Sequence, residues 1–161
     1  MKALKLTVAT AVLFGTFAIP AFADATIAVS LWNNAETVDL SKNLGMVPGS
    51  KMDMSKAPMG IKAEPAEVPA GKVTFNVTNV SKDMIHEMIL SPTPNKDAAL
   101  PYVDNENRAN EEKAGHLGEV SELDPGKTGA LTVDLKPGIY VLYCNIPGHL
   151  GAGMWTTVTV K

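Results

Sequence analysis

Short runs of β-branched and aromatic residues, each ended by glycine, proline, asparagine or aspartate, recur along most of this chain. The runs are residues 26–32, 72–79, 84–89, 130–135, 139–144 and 154–160. Side chains alternate between the two faces of a strand, and Val73, Phe75 and Val77 fall on one face. Many short strands separated by turn residues are typical of a β-sandwich or barrel. The pattern therefore predicts an all-β fold in which helix is a minor component.

One predicted strand carries a histidine on its inward face. Met84, His86 and Met88 share a face because side chains in a strand repeat every two residues. Two of these three side chains are apolar, so we expect this face to point into the core. His86 is then an inward-facing polar group near the end of this strand pattern.

Two segments do not fit the strand pattern. Residues 43–65 are rich in glycine, proline, lysine and methionine, and they predict a Met-rich loop insertion. Residues 95–115 begin with proline-containing turns and become strongly polar from residue 104 to residue 113. We expect a short surface helix or a loop insertion there, with its charges exposed to solvent.

The first 23 residues have the features of a secretory signal peptide. Lys2 and Lys5 precede an apolar run, and Ala21-Phe22-Ala23 is a small-residue cleavage site. Cleavage after Ala23 would send residues 24–161 to the periplasm as a single domain with its own core. No second membrane-spanning stretch follows, so no membrane insertion is expected after cleavage.

The charge balance argues against a nucleic-acid or anionic membrane partner. The 161 residues include 17 acidic and 14 basic side chains, and two of the lysines belong to the predicted signal peptide. An acidic surface repels phosphate groups, so a cationic protein is the more plausible docking partner. We expect the mature domain to be a monomer.

Cys144 is the only cysteine of a chain that is predicted to be exported. Cysteines in oxidising compartments usually pair, and a single one cannot form an intramolecular disulfide. The thiol could be a buried apolar group, an intermolecular disulfide partner, a nucleophile or a metal ligand. The residues around it decide among these alternatives.

A short loop after the predicted strand 139–144 brings three metal donors together. Cys144, His149 and Met154 are spaced Cys-x4-His-x4-Met, and Pro147 and several glycines allow the loop to fold back. One thiolate, one thioether and two imidazoles form a ligand set suited to copper in both oxidation states. His86 is the best candidate for the second imidazole.

Other interpretations of these donors are weaker. His116 follows a polar loop and has no neighbouring donor, so it is expected at the surface. Zinc also binds cysteine and histidine, but methionine is an unusual zinc ligand. Catalysis by Cys144 with His149 as its base would need an orienting group and an oxyanion motif that the sequence does not present.

The isolated upstream histidine, the Cys-x4-His-x4-Met loop and the final strand resemble the cupredoxins, the type 1 blue copper family that includes azurin, plastocyanin and rusticyanin. The resemblance spans most of residues 24–161. It implies a Greek-key β-sandwich that binds one copper ion through His86, Cys144, His149 and Met154. It also implies that the protein is not an enzyme but an electron carrier, which exchanges single electrons with redox partners.

Three expectations concern the surroundings of this loop. The apolar residues next to His149, Leu150 among them, are expected to form the surface patch on which redox partners dock. Tyr143 precedes Cys144 and should therefore face away from the metal, toward the outside. Glu87 stands where the related proteins have a small residue that ties the two copper loops together, and we expect it not to make that link.

A different function arises from the Met-rich segment. Met46, Met52, Met54 and Met59 lie close together in sequence, and thioethers can capture Cu(I) without a preformed pocket. The protein could then buffer, deliver or detoxify periplasmic copper. Packing of these methionines against the sandwich is the alternative explanation, and sequence alone leaves both open.

Overall fold

The computed structural model describes residues 24–34 and 38–161. The predicted signal peptide, residues 1–23, lies outside the described residues. In chain order, the strands are β1 (Ala25–Asn33), β2 (Met59–Glu64), β3 (Glu67–Val68), β4 (Gly71–Asn79), β5 (His86–Thr93), β6 (Tyr102–Val103), β7 (Arg108–Ala109), β8 (Gly118–Leu123), β9 (Thr128–Leu135), β10 (Gly138–Tyr143) and β11 (Trp155–Val160). The α-helix in this part of the chain is α1 (Glu111–Ala114).

The larger strands form two sheets that pack face to face. The four-stranded sheet has the order β2-β1-β4-β9, and the five-stranded sheet has the order β3-β11-β10-β5-β8. β6 and β7 form a separate two-stranded ribbon. The neighbours within the large sheets are antiparallel except for the pairs β1 with β4 and β3 with β11. The predicted all-β sandwich with little helix is confirmed.

The main core lies between the two sheets and follows the alternation seen in the sequence. Val73, Phe75 and Val77 of β4 are buried on one face, as their period of two predicts. Met88 of β5 and Val158 of β11 meet them from the five-stranded sheet within the same apolar cluster. Burial of this apolar surface is the main free-energy gain of the fold.

A second apolar cluster covers the outer face of the five-stranded sheet. It contains Ile89, Val141, Tyr143 and Leu150, with Tyr102 and Leu100 from the 95–115 segment packed against it. The middle of this sheet is therefore buried on both faces. Tyr143 does face away from the main core, but it is fully buried, so the expectation that it points outside is wrong.

The 43–65 segment was predicted to be a loop, and its last part is a strand. Residues 59–64 form β2, which pairs with β1 from Asn33↔Met59 to Ala28↔Glu64. Met59 and Ile61 are buried in the main core, and Gly60 packs under the ring of Trp32. Because β2 is short and contains glycine and lysine, its apolar alternation was too brief to indicate a strand.

The 95–115 segment contains the expected helix in its last part. The side chain of Asn110 accepts a hydrogen bond from the Lys113 amide at the start of α1, and Gly115 ends the helix in the left-handed conformation. β6 and β7 precede it, and β8 follows it as an edge strand that the sequence pattern did not predict. None of the helices in the described part of the chain has the length and apolar composition of a membrane span.

The buried position of Met59 can be tested by truncation. Met59→Ala should lower the free energy of unfolding by about 2–5 kcal/mol, because the change leaves a cavity in the main core. Met52→Ala is the matched control, since Met52 is 51% exposed and its truncation should change stability by less than about 0.5 kcal/mol. Denaturant titration measures both. Equal losses would show that residues 59–64 are not a core strand.

Candidate metal centre

Three of the four predicted ligands converge at one end of the sandwich. His86 begins β5, Cys144 directly follows β10, and His149 lies in the loop between β10 and β11. One donor atom from each lies within 4.8 Å of the other two. They meet because β10 is paired with both β5 and β11. Tyr143, the last residue of β10, lies opposite Ile89 on one side and opposite Trp155 on the other.

Two of the three donor separations match those of donors on a single coordinated ion, and the third is within 4.8 Å. Nδ1 of His149 lies 3.3 Å from Nδ1 of His86 and 3.4 Å from Sγ of Cys144. Bonds of about 2.0–2.3 Å from such donors to one metal ion, at roughly tetrahedral angles, place the donor atoms about 3.3–3.6 Å apart. The two imidazoles and the thiol therefore fit a metal ion in the space between them.

Met154, the fourth predicted ligand, lies at the end of the same loop. Its side chain is fully buried, and its backbone accepts a hydrogen bond from the Cys144 amide at 3.0 Å. The Met154 amide in turn donates to the carbonyl oxygen of His149 at 3.1 Å. The loop is thus closed on itself by its own backbone. His86, Cys144, His149 and Met154 fit a type 1 copper site in chemistry and placement.

The loop is also held from outside by two other segments of the chain. The Gly148 amide donates to the carbonyl oxygen of Asn107, and the side chain of Asn107 donates to the carbonyl oxygen of Leu40. Gly148 has φ of +88°, and a Cβ atom there would collide with the Leu40 carbonyl. Only glycine fits both the conformation and the close approach.

Glu87 does link the two ligand-bearing segments, contrary to the expectation from the sequence. Its Oε1 accepts a hydrogen bond of 2.9 Å from the amide of Asn145, the residue after Cys144. Burial raises the pKa of the Glu87 carboxyl, and the Asn145 amide partly offsets that effect. The longer glutamate side chain spans the gap because β5 and β10 are neighbours.

The side chain of Asn145 continues this connection to the 95–115 segment. Its Oδ1 accepts from the Ala109 amide at 2.7 Å, and its Nδ2 donates to the Ala109 carbonyl and to Oε1 of Glu111. Asn145 is almost completely buried, so these bonds satisfy groups that would otherwise be costly to bury. Nothing in the sequence pattern distinguished Asn145 from a turn asparagine, so it was not among the predicted site residues.

Burial decides the protonation of the donors. Loss of solvation lowers the pKa of His86 to about 4 and that of His149 to about 4, and the proximity of His86 contributes to the latter. Loss of solvation also raises the pKa of Cys144 to about 12. At neutral pH the imidazoles are therefore neutral with lone pairs free, and the thiol gives up its proton when a cation binds.

The remaining candidates lie outside this cluster. His116 is about one-third exposed, with its Nε2 3.6 Å from a carboxylate oxygen of Glu119, which agrees with the surface position expected for it. Of the four methionines considered for Cu(I), Met59 and Met46 are buried, whereas Met52 is half exposed. Packing therefore explains two of them, and the four do not form one exposed thioether cluster.

The surface next to His149 differs from the one predicted. Leu150 is fully buried in the second apolar cluster, so it cannot form part of a docking patch. The shallow depression beside the 5%-exposed ring of His149 is lined instead by Leu40, Met84, Ile85 and Ile146, with Asp83 and Glu122 as its charged members. Strand periodicity could not predict this surface, because these residues come from four separate segments of the chain.

Known proteins resemble this chain in sequence pattern and in fold. A family model described as copper binding proteins, plastocyanin/azurin family, matches residues 49–161. The Na-dithionite reduced auracyanin of the photosynthetic bacterium Roseiflexus castenholzii is 21% identical, with a TM-score of 0.52 over 86% of this chain and 96% of that one. Auracyanin B is 20% identical, with a TM-score of 0.53 over 91% and 93%. No curated protein sequence matches significantly.

The lowered histidine pKa values predict a specific loss of stability in acid. Between pH 6.5 and about 4, the unfolded histidines bind protons that the folded site excludes. The free energy of unfolding of the copper-free protein should therefore fall as the pH falls through this window, by up to about 1.4 kcal/mol per pH unit for each histidine. Denaturant titrations at a series of pH values measure this slope.

The matched variants separate this effect from the titration of carboxylates. His86→Gln combined with His149→Gln should flatten the slope between pH 6.5 and 4. His116→Gln is the control substitution of a histidine that lies outside the site. An unchanged slope in the double variant would contradict the buried, neutral state of the two imidazoles.

Proposed function

This chain belongs to the plastocyanin/azurin family of copper-binding proteins, and we propose that it is an exported blue copper protein that transfers single electrons between redox partners. The convergence of His86, Cys144 and His149 on one buried point is the observation that carries the proposal. The periplasmic location is part of the proposal and rests on the signal-peptide pattern of residues 1–23.

We assign four ligands to one copper ion: His86, Cys144, His149 and Met154. A copper ion in this set supplies reversible one-electron chemistry, because imidazole suits Cu(II) while thiolate and thioether suit Cu(I). The chain holds its donors through hydrogen bonds of the loop backbone and of Glu87 and Asn145. Donors that are held in this way move little when the charge of the ion changes, which favours fast electron exchange.

The surroundings of Cys144 support an electron carrier rather than a cysteine enzyme. Its side chain is fully buried, and burial raises the pKa of the thiol to about 12. A nucleophilic cysteine needs a low pKa and access to its substrate. Neither condition holds in the metal-free site, so ligation is the chemistry that this thiol is suited to.

We place the docking surface for redox partners at the depression beside His149. Its apolar part is formed by Leu40, Met84, Ile85 and Ile146, so a partner could approach the ring without displacing strongly bound water. Asp83 and Glu122 give its edge a negative charge, which suits a partner with a basic rim. A small, mostly apolar surface is appropriate for a brief encounter.

Removal of the thiol tests the copper site. The copper-loaded protein should show an intense visible thiolate-to-copper absorption band, and Cys144→Ser should abolish it because oxygen replaces the sulfur ligand. Met52→Leu is the control, since this exposed methionine is not one of the assigned ligands and its variant should keep the band. A colourless Cu(II) complex of the unchanged protein would contradict the proposal.

A charge at the depression tests the docking surface. Ile85→Lys should slow the bimolecular electron exchange with a basic redox protein such as a cytochrome c by about tenfold or more, without changing the visible spectrum. Leu117→Lys is the matched control, because Leu117 and Ile85 are equally exposed, at 44%, and Leu117 does not line the depression. Stopped-flow kinetics measures the rates, and equal slowing by both variants would place docking elsewhere.

A further inference from the structure

The side chain of Asn33 lies directly behind the imidazole of His86. Oδ1 of Asn33 is 3.2 Å from Nε2 of His86, the ring nitrogen that does not face the other donors. On its other side, Nδ2 of Asn33 donates to Oδ1 of Asp83 at 3.0 Å and to the carbonyl oxygen of Asn34 at 3.1 Å. Asp83, Asn33 and His86 therefore form a continuous hydrogen-bonded series.

The partners of Asn33 decide which way its amide faces. A carboxylate and a backbone carbonyl can only accept hydrogen bonds, so the amide nitrogen must be the atom that faces them. The amide oxygen is then left to face His86. Because that oxygen can only accept, Nε2 of His86 must carry the hydrogen, and Nδ1 must carry the lone pair.

We infer that Asn33, oriented by Asp83, is a positioning residue that holds His86 in the tautomer with Nδ1 free to bind copper. The inference rests on the proposed function in one respect, namely that His86 is a ligand. It concerns the protein before the metal binds as well as after, since none of the three side chains needs the ion for these hydrogen bonds.

The backbone around Asn33 is fixed on both sides, which makes it a suitable support. The Asn34 amide donates to the carbonyl of Pro58 at 2.7 Å, and Leu31 accepts from the Val80 amide at 2.9 Å. Asn33 ends β1 in the four-stranded sheet, whereas His86 begins β5 in the five-stranded sheet. The hydrogen bond between Asn33 and His86 therefore connects this ligand to the opposite sheet of the sandwich.

Among the described residues, the imidazole of His149 has no comparable support. Its two polar ring contacts, to His86 and to Cys144, both use the Nδ1 atom. Its ring reaches the surface beside the apolar depression. The site thus combines one histidine whose tautomer is set in advance with one that is free to adjust when the ion enters.

The hydrogen bond should also affect the bound metal. An acceptor at Nε2 makes the opposite ring nitrogen a stronger donor, and the negative charge of Asp83 behind the amide adds to this effect. A stronger nitrogen donor favours Cu(II) over Cu(I). Loss of the acceptor should therefore weaken Cu(II) binding and raise the reduction potential.

The tautomer can be measured directly in the copper-free protein. Nitrogen-15 chemical shifts of the imidazoles at neutral pH should show Nε2 of His86 protonated and Nδ1 unprotonated. In Asn33→Leu, which is similar in size and has no acceptor, the two tautomers should become mixed. Asn34→Leu is the matched control and should leave the shifts of His86 unchanged, because the Asn34 side chain is exposed and Asn33 bonds to the backbone carbonyl of Asn34.

Copper affinity and reduction potential give the second measurement. Asn33→Leu should lower the affinity for Cu(II) by about 10–100-fold and raise the potential. Exchanging the two groups, Asn33→Asp with Asp83→Asn, keeps the net charge and the acceptor but places the carboxylate next to His86. This double variant should retain the affinity and lower the potential, whereas a purely structural role for Asn33 predicts no such opposite shifts.

The outcomes separate this inference from the proposed function. If Nε2 of His86 is unprotonated in the unchanged copper-free protein, or if the exchanged variant shifts the potential upward as Asn33→Leu does, the inference is wrong even when copper binds. If the tautomer is as stated but the protein gives no thiolate-to-copper band, the positioning role holds and the proposed function fails. Should Asn33→Leu not fold, the unchanged protein and the exchanged variant still decide the question.

Discussion

The arrangement of this protein depends on the pairing of β10 between β5 and β11. This pairing places the beginning of β5, the end of β10 and the loop between β10 and β11 at one end of the sandwich. His86, Cys144 and His149 are carried by these three places, so the backbone ladder determines which side chains meet. Apolar clusters on both faces of the sheet then exclude water from the ladder and from the donors. A shift of one residue in the register of β5 would turn His86 away from the site.

Buried polar groups supply what apolar packing cannot, because hydrogen bonds have direction. Glu87, the residue after His86, accepts a hydrogen bond from Asn145, the residue after Cys144. Asn145 also connects the loop to the 95–115 segment, and Asn107 connects the loop to Leu40. Each group would be costly to bury without a partner, so the alternatives to the observed positions are disfavoured. The donors are in this way held in place by the protein itself, and this agrees with a role in which the ion changes charge without a change in its surroundings.

Exclusion of water keeps the metal-binding side chains uncharged, and it favours a metal ion whose charge is balanced by a thiolate. It holds both imidazoles neutral and keeps the thiol protonated, so the metal-free site carries no charge of its own. When a cation binds, the negative charge of the deprotonated thiolate largely compensates the positive charge of the ion. A dry site tolerates such a pair far better than an isolated ion. The same burial that would disable Cys144 as a nucleophile therefore makes it an effective ligand. Of the four proposed ligands, His149 alone has an edge at the surface, so the site is accessible from one small region.

Local sequence patterns were enough to predict the all-β architecture, the loop with Cys144, His149 and Met154, and the choice of His86 over His116. These follow from local spacing and from the period of two along a strand, which specifies the face on which a side chain lies. What covers that face was decided only by the tertiary structure: Tyr143 and Leu150 are buried because the 95–115 segment folds over β10. Tertiary structure also decided that β2 is a core strand, that Glu87 reaches Asn145 and that Asn33 supports His86. Such contacts join residues far apart in the chain, and their distances depend on how the sheets pack, which no local pattern encodes.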